Sequence, residues 1–251
     1  MMKYSIITAS YNGEQYIERL LASILGQSYP NFEWLVQDGG SSDRTVELLR
    51  KYSDPRIRLQ TEPDKGIYDA WNKGVARCTG DWAIFLGADD MFVSEHVLAK
   101  CHRYLKQMSG NIQFAYAAMV RGKELEIREV NNLSLFEVYH RFSNRLGPPM
   151  PSMFIRTPLL KQTLEPFDYK RYKICADFDF VAKNYTEDNI ARIPVMAVYM
   201  ELGGTSTHPE NWPVVVEESC KVLSERIVPR AEEMMSACIK HYFNRDTTLE
   251  K

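Results

Sequence analysis

The sequence predicts one α/β domain with a mostly parallel β-sheet. Short apolar runs alternate with amphipathic helical stretches through the first half of the chain, and polar clusters follow each run. A strand–helix–strand alternation of this kind gives parallel strands with right-handed crossovers. At 251 residues the chain is long for one domain, but an α/β unit of this size buries a full core. No repeat or low-complexity linker in the sequence marks a domain boundary.

The first half is regular enough to assign its elements. Asn12 is predicted to cap the first helix, with Gln15 at the capping-box position, and Ser94 to cap a later helix that runs to Leu105. Apolar residues recur along the first helix with the spacing of a core-facing stripe. The predicted strands cover residues 4–9, 32–37, 57–60 and 82–86, and a further helix covers 67–77.

The second half is less regular. A strand pair over 113–120 and 124–130 is predicted around a Gly122 turn, with further strands over 153–155 and 191–202. Residues 217–243 have helical character and an apolar face. That face packs on the domain, contacts a partner such as a second copy, or rests on a membrane surface, and ordinary packing is the favoured interpretation.

Composition excludes several classes of function. A net charge of −2 provides no basic field for nucleic acid. The five cysteines are widely spaced and form no CxxC pair, which argues against a disulfide framework or a thiolate zinc site and favours a reducing compartment. No stretch approaches the ~20 apolar residues of a membrane span. We therefore expect a cytoplasmic protein, at most peripheral at the inner face of the membrane.

Polar residues follow each of the first four predicted strands. In an open parallel sheet the carboxyl ends of the strands share one edge, and ligands bind there because loops and helix N-termini expose free N–H groups. We expect the four clusters to line that edge. They are Ser10–Asn12, Asp38–Gly40, Glu62–Lys65 and Asp89–Asp90.

Each cluster also has a purely structural interpretation. Asp38 before two glycines is typical of a turn, and Asp64 and Asp69 suit the first turn of a helix. Asp89 and Asp90 are harder to explain in this way, because adjacent carboxylates repel each other unless a cation or strong hydrogen bonds stabilise them. A divalent metal ion would do so. The sequence contains neither a P-loop nor a G-x-G-x-x-G turn.

Four ordered motifs resemble those of family 2 glycosyltransferases. They are the run Thr8–Asn12, the turn Asp38–Asp43, the block Glu62–Gly74 and the run Phe85–Asp90. The resemblance is strong over about the first 100 residues and looser beyond them, and the motifs together are more specific than any one alone.

The resemblance implies a GT-A fold: a Rossmann-like, mostly parallel sheet flanked by helices, with an irregular acceptor-side half and C-terminal helices. Within the single domain, 1–251, residues 1–110 would form the nucleotide-sugar-binding half, 111–215 the acceptor and catalytic half, and 216–251 a helical segment. It also implies an inverting enzyme that takes a nucleoside-diphosphate-sugar donor, such as a UDP-sugar, with Mn²⁺ or Mg²⁺. The acceptor would be a saccharide or lipid-linked saccharide in bacterial polysaccharide or lipopolysaccharide assembly.

The resemblance also implies roles for individual residues around the donor. Ala9 and Tyr11 would flank the nucleobase and Asp38 would hydrogen-bond it, although many members carry a second acidic residue where this chain has Gly39. The block after the third strand would supply the donor-binding residues Asp64, Lys65, Asp69 and Asn72.

Asp89 and Asp90 match the family's metal-binding acidic position, with Gly87 where a first acidic residue often stands. Diphosphate oxygens and water would complete the metal shell, and Asp89 would also contact the donor. His208 is a candidate additional ligand from a late loop, against the simpler interpretation of a solvated loop histidine.

Asp177 is the expected general base, because Ala176–Asp179 resembles the family's acidic motif at the start of a helix. An aspartate at position 177 could equally cap the helix. We expect Asp179 to lie behind Asp177, without contacting the substrate itself. Trp71 is expected in the core, since a large apolar surface is its main property.

Two other classes of function remain open. A catalytically silent nucleotide-sugar-binding protein would keep Asp38, Asp89 and Asp90 without needing Asp177. A sugar nucleotidyltransferase would be expected to carry a glycine-rich basic loop after the first strand, and Asn12–Glu14 is not such a loop.

Overall fold

A computed structural model describes residues 1–122, 126–128 and 150–231 of the chain. These residues form one nine-stranded sheet in the order β3-β2-β1-β4-β8-β6-β9-β5, with β7 paired to β6. The strands are β1 Tyr4–Ser10, β2 Phe32–Asp38, β3 Ile57–Thr61, β4 Trp82–Phe85, β5 Met91–Phe92, β6 Phe114–Arg121, β7 Glu126–Arg128, β8 Met153–Arg156 and β9 Ile190–Met200.

The first four strands are parallel, as the alternation predicted. The pairing of Tyr4 with Phe32 and of Ser10 with Asp38 brings the carboxyl ends of β1 and β2 level. β3 pairs with β2 so that Thr61 lies opposite Asp38, and β4 pairs in parallel with β1. The polar clusters that follow these strands therefore meet at one edge.

The second half adds strands of both directions. β8 is antiparallel to β4 and to β6, whereas β9 runs parallel to β6 and antiparallel to β5. The two-residue strand β5 was not predicted, because its partner among the described strands is β9, about 100 positions away. Of the predicted strand over 124–130, residues 126–128 are seen in β7 and the rest lie outside the described residues.

The helices flank this sheet. They are α1 Glu14–Leu25, α2 Thr45–Arg50, α3 Ile67–Arg77, α4 Val97–Leu105, α5 Thr157–Leu160, α6 Ala176–Asn184 and α7 Trp212–Val222, which continues as a π-helical turn over Leu223–Ile227. The predicted helix over 217–243 is thus observed to begin earlier, and residues 232–243 lie outside the described range.

The predicted N-caps, Asn12 for α1 and Ser94 for α4, were both wrong. The residue before α1 is Gly13, and Asn12 adopts a left-handed backbone with φ of 49°. The first helical amide, of Glu14, instead donates to the Asp43 carboxylate at 3.0 Å. In α4 the Leu98 amide donates to Gln27 Oε1 at 2.9 Å. These amides are satisfied from other elements, which local sequence does not reveal.

Alternating residues of the central strands face two apolar layers. Ile6 packs with α1 and α4 on one face, and Ile7 packs with α3 and α6 on the other. Trp71 is buried in the second layer, 4.8 Å between ring centres from Phe85, which confirms its predicted core position. Within the described ranges no helix is long and apolar enough to cross a membrane.

Candidate active site

The turns after β1 and β2 are bonded into one unit. Asn12 Oδ1 accepts the Ser42 amide at 2.9 Å, and the Asn12 amide donates to Ser41 Oγ at 2.8 Å. The Gly39 amide donates to the carbonyl of Ser10 at 2.8 Å. Asn12 therefore joins the two turns rather than capping a helix. Tyr11 projects beside them with 67% of its surface exposed, so its ring is free to cover a flat ligand.

Asp38 is fully buried at the end of β2. One carboxylate oxygen accepts the amides of Gly40 and Ser41 at 3.2 and 3.0 Å, and the other accepts the Ser41 hydroxyl. The turn interpretation of Asp38 is therefore confirmed. Ala9 precedes this edge, half-buried in β1 and paired with Gln37.

Gly39 allows the turn after β3 to approach the turn after β2. A Cβ atom on Gly39 would lie 2.6 Å from Asp64 Oδ2, closer than such atoms approach. Because Gly39 has no side chain, the Asp64 carboxylate fits beside this turn. Its other oxygen accepts the Gly66 amide at 2.9 Å. Burial raises the pKa of Asp64, and the nearby Asp69 and Asp38 carboxylates add to the shift.

The remaining candidates of the Glu62–Gly74 block divide into two groups. Lys65 is exposed, and its amide donates to Asp69 Oδ2 at 3.0 Å, beside the Lys73 ammonium at 3.4 Å. Asn72 is buried, and its amide group exchanges two hydrogen bonds, of 2.8 and 3.0 Å, with the backbone of Phe167. Both polar atoms of Asn72 thus bond Phe167, and its predicted donor contact stays a prediction.

Asp89 and Asp90 follow β4 and differ in their surroundings. Asp90 is 3% exposed, and its Oδ2 accepts the Gly87 amide at 2.7 Å. Burial, together with the neighbouring Asp89 charge, raises the pKa of Asp90 to about 8. Asp89 is half-buried, with Gly204 of a later loop beside its carboxylate. Two adjacent carboxyl groups thus share this turn, and their ionised forms are disfavoured without a compensating positive charge.

The chemistry of this turn fits a divalent cation. Carboxylate oxygens are ligands that Mg²⁺ and Mn²⁺ prefer, and a cation would offset the repulsion that raises the Asp90 pKa. Across the described residues no group of three or more His, Cys, Asp and Glu side chains is placed to hold a metal. His208 is 49% exposed, with Glu210 at 3.8 Å as its ionic neighbour. The ligand role of His208 stays a prediction.

Sequence reasoning missed Arg19 and Glu201 at this turn. Arg19 in α1 donates to the carbonyl oxygen of Asp89 at 2.6 Å and to Glu201 Oε2 at 3.2 Å. Its guanidinium also lies 5.6 Å from the centre of the Tyr199 ring. Arg19 therefore binds the acidic turn to the end of β9. A lone arginine in an amphipathic helix carries no local signal of such a role.

Asp177 is the second residue of α6 and is half-buried. Its Oδ1 accepts the Phe178 amide at 2.8 Å and the Tyr68 hydroxyl at 2.8 Å. Burial raises the pKa of Asp177 against the effect of these hydrogen bonds. Tyr68 lies at the start of α3, directly after the Asp64 turn, so Asp177 is near the donor-side motifs. Asp179 is instead paired with Arg226 at 2.8 Å.

The parallel strands, the common edge of polar turns and the acidic turn after β4 are features of a GT-A glycosyltransferase fold. Residues 5–153 match the sequence model of Glycosyl transferase family 2. The chain belongs to this family, and its fold is the GT-A fold that the motifs implied. Curated relatives carry the names of glycosyltransferases of glycan and glycolipid biosynthesis.

Three similar proteins illustrate the match. A "PGL/p-HBAD biosynthesis glycosyltransferase" of Mycobacterium tuberculosis is 27% identical over 209 residues, covering 81% of this chain and 78% of the relative. The Staphylococcus aureus protein TarS, solved as residues 1–349 with UDP-GlcNAc, superposes with a TM-score of 0.67 at 20% identity, over 92% of this chain and 69% of that 1–349 chain. The Pyrobaculum calidifontis mannosyltransferase PcManGT, solved with GDP-Man and Mn²⁺, has a TM-score of 0.60 at 15% identity, over 98% and 82%.

Proposed function

We propose that this glycosyltransferase moves a sugar from a UDP-sugar to an acceptor hydroxyl with inversion at the anomeric carbon, in the assembly of a surface glycan or glycolipid. The observation that carries the proposal is Asp177. It is a half-buried carboxylate with a raised pKa, held by Tyr68 beside the donor motifs. Perturbed carboxylates in such a position are candidates for general bases.

The proposed reaction is a single displacement. The acceptor oxygen forms a bond to the anomeric carbon while the bond from that carbon to the diphosphate oxygen breaks. The hydroxyl proton passes to Asp177, and the products are a glycoside of inverted configuration and a nucleoside diphosphate. Raising the pKa of a carboxylate makes it a stronger base once ionised, which suits proton abstraction near neutral pH.

The donor would lie on the edge formed by the four turns. Tyr11 and Ala9 would cover the nucleobase, and Asp38 would orient it by way of its turn. The ribose and diphosphate would be contacted by Asp64, Lys65 and Asp69. Asp89 and Asp90 would hold the Mn²⁺ or Mg²⁺, with His208 as a further ligand. When bound, such a cation neutralises charge on the diphosphate.

Two features of similar proteins support the donor class. TarS was solved with UDP-GlcNAc, and PcManGT with GDP-Man and Mn²⁺. Both donors are nucleoside-diphosphate sugars, but their bases differ. The choice of UDP for this chain therefore needs a direct comparison of the two nucleotides.

The proposal is tested with a panel of UDP- and GDP-sugars, with and without Mn²⁺. We expect a UDP-sugar to raise the melting temperature and to release UDP in a metal-dependent way. Binding without release in the presence of candidate acceptors would instead favour the silent binding protein. Absence of binding by every nucleotide sugar would contradict the proposed donor class.

The catalytic role is tested by Asp177→Asn. The variant keeps donor affinity within a few-fold but lowers turnover by at least ~10²-fold, the scale of a lost general base. Asp179→Asn on the same helix is the control, because it breaks the Arg226 pair while leaving Asp177 in place. Wild-type turnover in Asp177→Asn would show that the base lies elsewhere.

A further inference from the structure

Tyr68 is a buried tyrosine whose hydroxyl points at the proposed base. Its side chain is 4% exposed, and its ring packs edge-on against Trp71 with 5.4 Å between ring centres. The hydroxyl lies within hydrogen-bonding distance of two acceptors, the carbonyl oxygen of Ile174 and Asp177 Oδ1. Packing of the ring leaves the hydroxyl little freedom to turn elsewhere.

The backbone before Asp177 is held by Glu218 in α7. Its carboxylate accepts the amides of Lys173, Ile174 and Cys175 at 2.7, 2.9 and 2.9 Å. These are the free amides just before α6, which a carboxylate stabilises at a helix N-terminus. Glu218 thus fixes the backbone before Asp177, while Tyr68 contacts the Asp177 side chain.

We propose that Tyr68 is a positioning residue for the general base, its hydroxyl holding the Asp177 carboxylate in the orientation that accepts the acceptor proton. The inference rests on the proposed function, because it assigns Tyr68 a role through Asp177. It also joins the two halves of the enzyme, since Tyr68 belongs to the donor-side helix α3 and Asp177 to the acceptor-side helix α6.

The hydrogen bond has a defined electrostatic effect. Among the described residues, the titratable groups that face Asp177 are Tyr68 from α3, Cys175 from its own segment and Glu218 from α7. Burial raises the pKa of Asp177, the Tyr68 hydroxyl lowers it by donating to the ionised form, and the Glu218 charge raises it. Removing the hydroxyl therefore raises the pKa of Asp177. A base must be ionised to act, so the acid limb of the rate profile moves to higher pH.

The test is Tyr68→Phe, which keeps the ring and removes only the hydroxyl. We expect kcat to fall by about ten-fold or more, the scale of a lost hydrogen bond to a charged group. KM for the donor stays within a few-fold, and the acid limb of kcat shifts upward in pH. The control is Tyr172→Phe, because the buried Tyr172 hydroxyl has no hydrogen-bond partner among the described residues. This control should retain the wild-type pH profile.

A double variant separates positioning from a general loss of structure. Added to Asp177→Asn, Tyr68→Phe should cause no further loss of turnover, because its target carboxylate is already absent. An unchanged pH profile in Tyr68→Phe, or additive losses in the double variant, would overturn the inference. If Asp177→Asn is inactive while Tyr68→Phe matches wild type, the proposed function stands and the positioning role fails. If Asp177→Asn is fully active, both fail.

Discussion

Replacing Glu33 by Gln is expected to destabilise the fold in a strongly pH-dependent way. Glu33 lies at the start of β2 and is 3% exposed. Its carboxylate accepts hydrogen bonds from Lys3, Ser5 and Thr79 at 2.6 to 3.0 Å and from Arg58 at 2.8 Å. It therefore joins β1, β3 and the entry to β4 to its own strand, at the sheet edge opposite the active site.

The magnitude follows from the pKa of Glu33. Burial alone would raise this pKa, but the hydrogen bonds outweigh it and lower the pKa from 4.5 to about 2. A shift of that size corresponds to about 3 kcal/mol of folding free energy. The side chain of Arg58 is 45% exposed, so salt screens part of its contribution.

The sign is set by the lowered pKa. The stabilisation is fully present above the ordinary value of 4.5 and is lost as pH falls through about 2. Gln cannot ionise, so the wild-type advantage over Glu33→Gln should be about 3 kcal/mol at neutral pH and should fade on acidification. Urea unfolding of both proteins across this range measures the difference.

The control is Glu47→Gln. Glu47 is 58% exposed, with Arg44 and Lys51 at 3.6 and 3.9 Å, and its replacement should change stability by less than about 1 kcal/mol. A constant difference between wild type and Glu33→Gln at every pH would refute the electrostatic reasoning. Turnover of folded Glu33→Gln should equal wild type, because Glu33 lies at the opposite edge.

Three further predictions concern the donor edge. Asp90→Ala should abolish transfer and metal-dependent donor binding with the fold intact by circular dichroism, and full wild-type activity in excess chelator would remove the metal assignment. His208→Ala should weaken donor binding in the presence of Mn²⁺, because a metal ligand is lost, and should leave binding without metal unchanged; equal affinities of the two proteins with Mn²⁺ would exclude the ligand role. Gly39→Ala should lower donor affinity by several-fold, because the new Cβ would lie 2.6 Å from Asp64 Oδ2 and would push this carboxylate out of place. Unchanged affinity by calorimetry would mean that Asp64 does not contact the donor.

Much of the donor half could be predicted from short-range pattern. The strands β1 to β3 begin and end within one residue of their predicted bounds, because an apolar run must be buried and a polar turn must leave the sheet. The common edge of the four polar clusters followed from parallel pairing alone. Trp71 was also predicted correctly, since a large apolar side chain on an amphipathic helix packs inward.

The predictions that failed depend on groups from other elements. Asn12 does not cap α1, because its side chain accepts the Ser42 amide of the next turn instead. The side chain of Asn72 also bonds the backbone of Phe167 through its nitrogen and its oxygen, a contact that its own motif does not reveal. Residue type and spacing describe what a side chain can bond, but they do not say which partner the fold supplies.

By itself, the sequence determined the fold class, the family and the residue types available for donor, metal and base. Tertiary structure alone decided which of those residues meet. Tyr68 and Asp177 are 109 positions apart, and Arg19 and Glu201 are 182 apart, yet each pair is hydrogen-bonded. The physical reason is that strand order and crossover handedness, set by burial of the whole sheet, bring distant segments together, whereas the local pattern of either segment records only its own burial.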